Sequence, residues 1–134
     1  MSKIPQAIIN FIPGKMAWVA TADASGLPNV APKGSVQVLD NQTLLFADIF
    51  SNKTRTALEQ NPKAALAVID PARPEGYQFK GDAVLLNSGP IFEKVKEELK
   101  KRAPKLPEPK YVVKINVTEV YSLTPGPEAG KKIA

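Results

Sequence analysis

A short run of hydroxyl and cationic residues at the predicted start of a helix is the segment best suited to chemistry. Ser51 stands where the helix begins, and Lys53, Thr54 and Arg55 fill its first turn. Free backbone N–H groups at a helix N-terminus attract anions, and lysine or arginine adds charge-assisted hydrogen bonds to phosphate oxygens. The run predicts a phosphate site, although a solvated first turn with a serine cap explains it about equally well.

The chain contains no cysteine and no histidine. This composition excludes disulfides, thiolate nucleophiles and iron–sulfur clusters, and it removes the commonest metal ligand and the commonest general base near neutral pH. No run of spaced acidic residues predicts an all-oxygen metal site. If the protein carries out redox or group-transfer chemistry, an organic cofactor is expected to supply it.

The 134 residues fit one domain, 1–134, with a Pro/Gly-containing tail from about residue 125 that we expect to be loosely held. No apolar run reaches the roughly 18 residues that a membrane span needs. The N-terminal stretch lacks the apolar core of a secretory signal. We therefore expect a cytoplasmic protein with no membrane partner.

Periodicity and turn residues predict a mainly β chain. The predicted strands cover residues 15–21, 28–33, 35–39, 43–49, 64–70, 77–86 and 111–122, and the predicted helices cover residues 4–12, 52–61 and 90–102. Strands joined by short turns favour an antiparallel barrel of six or seven strands with peripheral helices. Within it, Gly81 is predicted to mark a bulge rather than a ligand contact, Trp18 a core or interface position, and Phe46 and Phe50 packing positions.

The order of elements and several local strings resemble the pyridoxamine 5′-phosphate oxidase-like FMN-binding split barrels. The strings are P-N-V-A-P-K at residues 28–33, S-N-K-T-R at 51–55 opening a helix that ends in N-P, and F-K-G-D-A at 79–83. The resemblance covers roughly residues 5–123. It implies a split β-barrel, FMN as cofactor, and a homodimer in which the flavin lies at the subunit interface.

The resemblance also implies a set of cofactor contacts. Residues on the second strand and its break would lie beside the cofactor, the end of the fourth strand would flank the isoalloxazine ring with backbone groups, and the start of the next helix would hold the phosphate. In that order they are Ala31, Pro32, Lys33 and Gly34; Ala47, Asp48 and Ile49; and Ser51, Asn52, Lys53 and Thr54. Lys33 is a candidate either for the phosphate or for the flavin ring.

The C-terminal residues depart from the family pattern. Pyridoxamine 5′-phosphate oxidases end in a segment rich in Trp, Arg and His, whereas residues 125–134 here read PGPEAGKKIA. Vitamin B6 oxidation is therefore not expected. Two flavin functions stay open: an FMN-dependent oxidoreductase or flavin reductase acting on a small electron donor or acceptor, and a non-catalytic FMN storage or electron-carrier protein.

The net charge of +5 leaves a third function, a basic barrel that binds nucleic acid. Residues 91–114 carry eight Lys or Arg against four Glu, but Glu97–Lys101 and Glu98–Arg102 are spaced as helical i,i+4 pairs, which is typical of a solvated face. Nucleic acid is therefore not the expected partner. The apolar strands 64–70 and 111–122 favour a two-fold interface between copies of the chain.

Overall fold

A computed structural model describes residues 3–134 and contains the ten elements in the order that the sequence predicts. They are α1 Gln6–Phe11, β1 Ala17–Ala22, β2 Pro28–Lys33, β3 Gln37–Asp40, β4 Thr43–Asp48, α2 Asn52–Gln60, β5 Lys63–Asp70, β6 Glu75–Leu86, α3 Pro90–Arg102 and β7 Tyr111–Ser122. Both bounds of β2, α3 and β7 match the prediction, and each end of the other elements either matches or differs by one to two residues. No helix within residues 3–134 is long and apolar enough to cross a membrane.

All seven strands form one antiparallel sheet in the order β2-β1-β5-β6-β7-β4-β3. The two outermost strands, β2 and β3, follow each other in the chain and are joined by residues 34–36. This topology confirms the predicted split barrel. A hydrogen bond from Lys33, the last residue of β2, to Ser51 joins the end of β2 to the turn after β4, where the predicted site lies.

Strand β4 is buried on both faces, which explains its nearly continuous apolar sequence. Leu44 and Phe46 point into the main core with Phe79, and each of the three is fully buried. Leu45 and Ala47 contribute instead to a second cluster under α3, formed with Phe92, Val95, Leu99 and Val112. The packing of α3 on β4 therefore fixes the last turn of α3 near the end of β4.

Gly81 lies at a bulge, as predicted. The pairing of β6 with β7 shifts register between Lys80 and Gly81, and a Cβ at Gly81 would overlap the backbone carbonyl of Asn116. Only glycine fits so close to the neighbouring strand. Gly81 therefore shapes the sheet and plays no part in the predicted cofactor site.

The end of the C-terminal tail pairs with a neighbouring strand. Its last residues run antiparallel to the second half of β7, with a bridge between Tyr121 and Lys132. The N–H of Ser122 donates to Lys131 at 2.9 Å, and the N–H of Ile133 donates to Val120 at 2.7 Å. Strand β4 pairs only with residues 111–116 of β7, so the remaining edge of β7 is free to pair with the tail.

Candidate functional site

The turn between β4 and α2 forms the centre of the site. Ser51 occupies the N-cap position of α2, as predicted, but its side chain makes no capping hydrogen bond. Its backbone N–H instead donates to Asp48 Oδ1 at 2.9 Å. The first N–H groups of α2 thus have no side-chain acceptor from the cap residue, and they retain the capacity to bind an anion.

Lys33, at the end of β2, is a buried cation directed at this turn. Its side chain lies over the ring of Phe46 at 5.5 Å from the centroid, and its Nζ donates to Ser51 Oγ. The residue is only 8% exposed, and within residues 3–134 no carboxylate lies within ion-pair distance of it. Burial lowers the pKa of Lys33, and the charge of Asp48 opposes that shift.

Asp48, the last residue of β4, is 1% exposed. Besides the bond from Ser51 to Oδ1, its backbone carbonyl accepts the N–H of Lys110 at 2.9 Å. Its second carboxylate oxygen, Oδ2, is buried without a hydrogen-bond partner among the described residues. Buried carboxylate oxygens are seldom left unpaired, so this oxygen calls for an explanation.

One side of the turn opens into a cavity of about 420 Å³, which we call the apolar cavity. Its lining residues are Pro32, Lys33, Gly34, Ser35, Ala47, Ile49, Phe50, Ser51, Leu99, Arg102, Ala103 and Leu106. Six of the eleven predicted cofactor contacts are among them: Pro32, Lys33, Gly34, Ala47, Ile49 and Ser51. Most of the wall is hydrocarbon, with Lys33 and Arg102 as the two charges.

The other flank of α2 lines a second cavity of about 450 Å³. Its wall is also mostly hydrocarbon, and we call it the polar cavity because amide and charged side chains form much of its lining. Its lining residues are Asp23, Leu27, Pro28, Asn29, Asn52, Lys53, Thr56, Ala57 and Gln60. The predicted contacts Asn52 and Lys53 lie here. The two cavities share no lining residue, so the structure divides the predicted site into two parts that meet at the start of α2.

Three predicted contacts line neither cavity. Ala31 is half-buried in β2, opposite Val19 of β1. Asp48 lies beneath the turn, as described above. Thr54 is 2% exposed, and its Oγ1 accepts a hydrogen bond from Asn29 Nδ2 at 3.1 Å. That bond ties the first turn of α2 to β2, next to the polar cavity.

Sequence reasoning missed the wall of the apolar cavity that comes from α3 and the loop after it. Leu99 is buried on the apolar side of α3, and Arg102 follows it by three residues, so the two side chains share a face. That spacing could have predicted Arg102 in the site. Phe50, predicted as a packing residue, is 73% exposed and lines the cavity, because it lies outside β4 in the turn.

Known proteins resemble this chain over nearly its whole length. The model of the pyridoxamine 5′-phosphate oxidase family matches residues 5–124. An uncharacterized protein of Methanocaldococcus jannaschii is 37% identical, over 98% of this chain and 89% of that protein. The chain belongs to the pyridoxamine 5′-phosphate oxidase family. HupZ of Group A Streptococcus, 33% identical, superposes with a TM-score of 0.83 over 95% of this chain and 99% of HupZ.

More distant structures share the fold alone. An FMN-binding protein of Syntrophomonas wolfei is 17% identical, with a TM-score of 0.74 over 88% of this chain and 82% of that chain. HutZ, the haem storage protein of Vibrio cholerae, is 19% identical, with a TM-score of 0.66 over 90% and 95%. The fold thus occurs in proteins described as binding different flat cofactors, and the choice between them depends on the residues of this site.

Proposed function

We propose that this protein binds FMN and exchanges electrons with a small molecule. The observation that carries the proposal is the position of Lys33, a buried cation without an ion pair among residues 3–134. It lies beside the uncapped N-terminus of α2, where the apolar and the polar cavity meet. A flat apolar ring with a phosphate at the end of a polar chain matches those three features. Haem fits less well, because the chain lacks histidine and cysteine, two of the usual axial ligands.

The phosphate would be held on the polar side of the turn. Lys53 and Asn52 line the polar cavity, and both belong to the first turn of α2. A helix N-terminus supplies N–H donors and a favourable dipole to an anion, and Lys53 adds a charge. Thr54 supports this arrangement from below, since its hydroxyl fixes the helix to Asn29.

The isoalloxazine ring would occupy the apolar cavity. Pro32, Ala47 and Ile49 give it hydrocarbon surfaces, and Lys33 supplies a positive charge at the cavity wall. When bound, FMN supplies hydride and electron transfer, and its reduced form carries negative charge that a nearby cation stabilises. The role of Lys33 in this proposal is therefore to favour the reduced cofactor rather than to bind phosphate.

The electron partner would approach through the outer wall of the apolar cavity. Phe50 and Leu106 are both exposed there, so the cavity opens to solvent in the isolated chain. Arg102 at the same wall favours a partner that carries an anionic group. An accessible cavity favours a reductase over a storage protein. In such a reductase, the chain's own side chains would bind and orient the reactants. We place this enzyme in the cytoplasm.

The proposed assembly is a homodimer formed through the outer face of β2, β1 and β5. Trp18 lies opposite Pro32 on one side and Ala67 on the other, and Ala20 lies opposite Val30. Trp18 and Val30 are 43% and 64% exposed, and contiguous apolar surface of this kind marks an interface. Pro32 also lines the apolar cavity, so a second copy on this face would reach the edge of the cofactor site.

The dimer can be tested by sedimentation equilibrium at micromolar concentration. Trp18→Glu places a charge at the centre of the face and should give a monomer of about half the wild-type mass. Ile133→Glu is the matched control, because Ile133 is similarly exposed, at 42%, but lies in the C-terminal tail. A wild-type mass of 14.5 kDa would contradict the dimer.

Anaerobic reduction tests the electron-transfer function. The FMN-loaded protein is mixed with NADH, with NADPH, or with dithionite as a positive control, and the flavin band is followed. Bleaching by a nicotinamide within minutes supports the reductase. Bleaching by dithionite alone would leave the storage or carrier function and would contradict a nicotinamide-linked enzyme.

A further inference from the structure

One residue connects the buried carboxylate of Asp48 with the buried ammonium of Lys33, which has no ion-pair partner among residues 3–134. Ser51 accepts a hydrogen bond from Lys33 at its Oγ and donates its backbone N–H to Asp48 Oδ1. Lys33, Ser51 and Asp48 therefore form a chain of contacts that spans β2, the β4–α2 turn and β4. Two of its members are buried charges of opposite sign that do not touch directly.

We propose that Asp48 is the positioning residue of this site, whose buried carboxylate both fixes Ser51 and supplies the negative charge against which Lys33 stays cationic at the wall of the apolar cavity. A buried carboxylate with an unbonded oxygen destabilises the folded state unless an opposite charge nearby compensates it. The resemblance to FMN-binding barrels implies only backbone contacts of Asp48 with the isoalloxazine ring. It gives the carboxylate of Asp48 no role.

The charges around Lys33 explain why it needs such a partner. Arg102 of α3 lines the same apolar cavity, and the N-terminus of α2, whose first turn carries Lys53 and Arg55, adds further positive potential. Asp48, at the end of β4, is the acidic residue that shares Ser51 with Lys33. Burial lowers the pKa of Lys33, and the charge of Asp48 works against that fall.

The functional meaning of this inference rests on the proposed FMN function, but its test uses the FMN-free protein. Asp48→Asn removes the charge, keeps the side-chain volume and keeps an oxygen that can accept the Ser51 N–H. Asp40→Asn is the matched control, because Asp40 Oδ1 also accepts a local backbone N–H, that of Gln42 at 2.9 Å, while the residue is exposed and remote from Lys33.

The readout is the titration of Lys33, followed by the Nζ resonance or by the pH dependence of its acetylation measured by mass spectrometry. Asp48→Asn should lower the pH at which Lys33 loses its proton and raise its acetylation rate near pH 8 by about tenfold, in proportion to the free amine. Asp40→Asn should leave both unchanged. An unchanged Lys33 titration in folded Asp48→Asn would overturn the proposal, whether or not the protein binds FMN.

If Asp48→Asn does not fold, the double variant Asp48→Asn/Lys33→Met decides the question. Removing the uncompensated ammonium should restore a folded chain if Asp48 acts as its counter-charge. A double variant that stays unfolded would show that Asp48 is needed only for the backbone of the turn, which would overturn the proposed role. Failure of FMN binding alone would affect the proposed function and leave these outcomes intact.

Discussion

The two cavities beside α2 are similar in volume and differ in the polar groups that they present. Both walls are mostly hydrocarbon, but the apolar cavity holds the buried ammonium of Lys33, whereas the polar cavity presents side-chain amides and the exposed Lys53. The difference follows from their positions: one lies between β4 and α3, which pack a hydrophobic cluster, and the other lies against the β1–β2 hairpin. One cofactor with an apolar ring and a phosphate would occupy both cavities. Mutations in one cavity should therefore affect binding of the ring, and mutations in the other should affect binding of the phosphate.

The largest expected effect is at the polar cavity. Lys53→Glu removes a charge-assisted hydrogen bond to phosphate and adds repulsion, which should weaken FMN binding by roughly 2–4 kcal/mol. Riboflavin, which has no phosphate, should bind equally to both proteins. Fluorescence quenching titrations measure the affinities, with Lys94→Glu on the outside of α3 as the charge-matched control. An equal loss of riboflavin affinity would contradict a contact between Lys53 and the phosphate.

At the apolar cavity, Lys33→Met should act on the redox potential of the flavin more than on phosphate affinity. Losing a buried cation beside the reduced ring should lower the two-electron potential by about 30–60 mV, equivalent to roughly 1.4–3 kcal/mol. Equilibration with a redox dye under anaerobic conditions measures it. A potential equal to that of the wild type, combined with a selective loss of FMN over riboflavin, would place the phosphate at Lys33 instead.

A smaller effect is expected from the exposed apolar residues of the two cavities. Phe50→Ala should weaken FMN and riboflavin alike by about 1 kcal/mol, because the ring would cover part of this side chain. Leu27→Ala is the matched control, since Leu27 is 66% exposed at the polar cavity and should leave both affinities unchanged. Equal losses in the two variants would contradict the division of the cofactor between the cavities.

The smallest effect concerns the stability of the FMN-free protein. The pKa of Lys33 in the folded chain lies below its usual 10.5. At a pH between the pKa of the folded chain and that of the unfolded chain, the unfolded chain binds more protons, so the free energy of unfolding rises with pH. Wild type should therefore gain stability relative to Lys33→Met as the pH increases from neutral toward 10.5. Urea unfolding of both proteins across that range measures the gap, and a gap that stays constant would contradict a buried, destabilised ammonium.

Much of the fold could be predicted from the sequence, because local patterns determine it. Strand 111–122 and helix 90–102 have strong periodicity and clear turn residues at their ends, and both have the predicted bounds. The tail was the main exception. Its proline and glycine residues predict little order by themselves, but the half of β7 that β4 leaves unpaired supplies hydrogen-bond partners that no local pattern reveals.

The site was less predictable, because its chemistry depends on burial. Lys33 and Lys53 are the same residue type in similar polar strings, yet one is buried beneath Ser51 and the other is exposed. Arg102 and Leu106 reach the site only because α3 packs on β4, a contact between segments about fifty residues apart. Spacing along the chain indicates which residues can bind a phosphate, but only the packed structure shows which cavity each one faces.

Equilibrium titration of the purified, cofactor-free protein with FMN, riboflavin and hemin under identical conditions tests the central claim most directly. The account predicts saturable binding of one FMN per chain, with flavin bands in the visible spectrum and an affinity higher than that for riboflavin, because both cavities are engaged. Hemin should bind weakly or without saturation. No saturable binding of FMN, or tight stoichiometric binding of hemin in its place, would contradict the assignment of this site to a flavin.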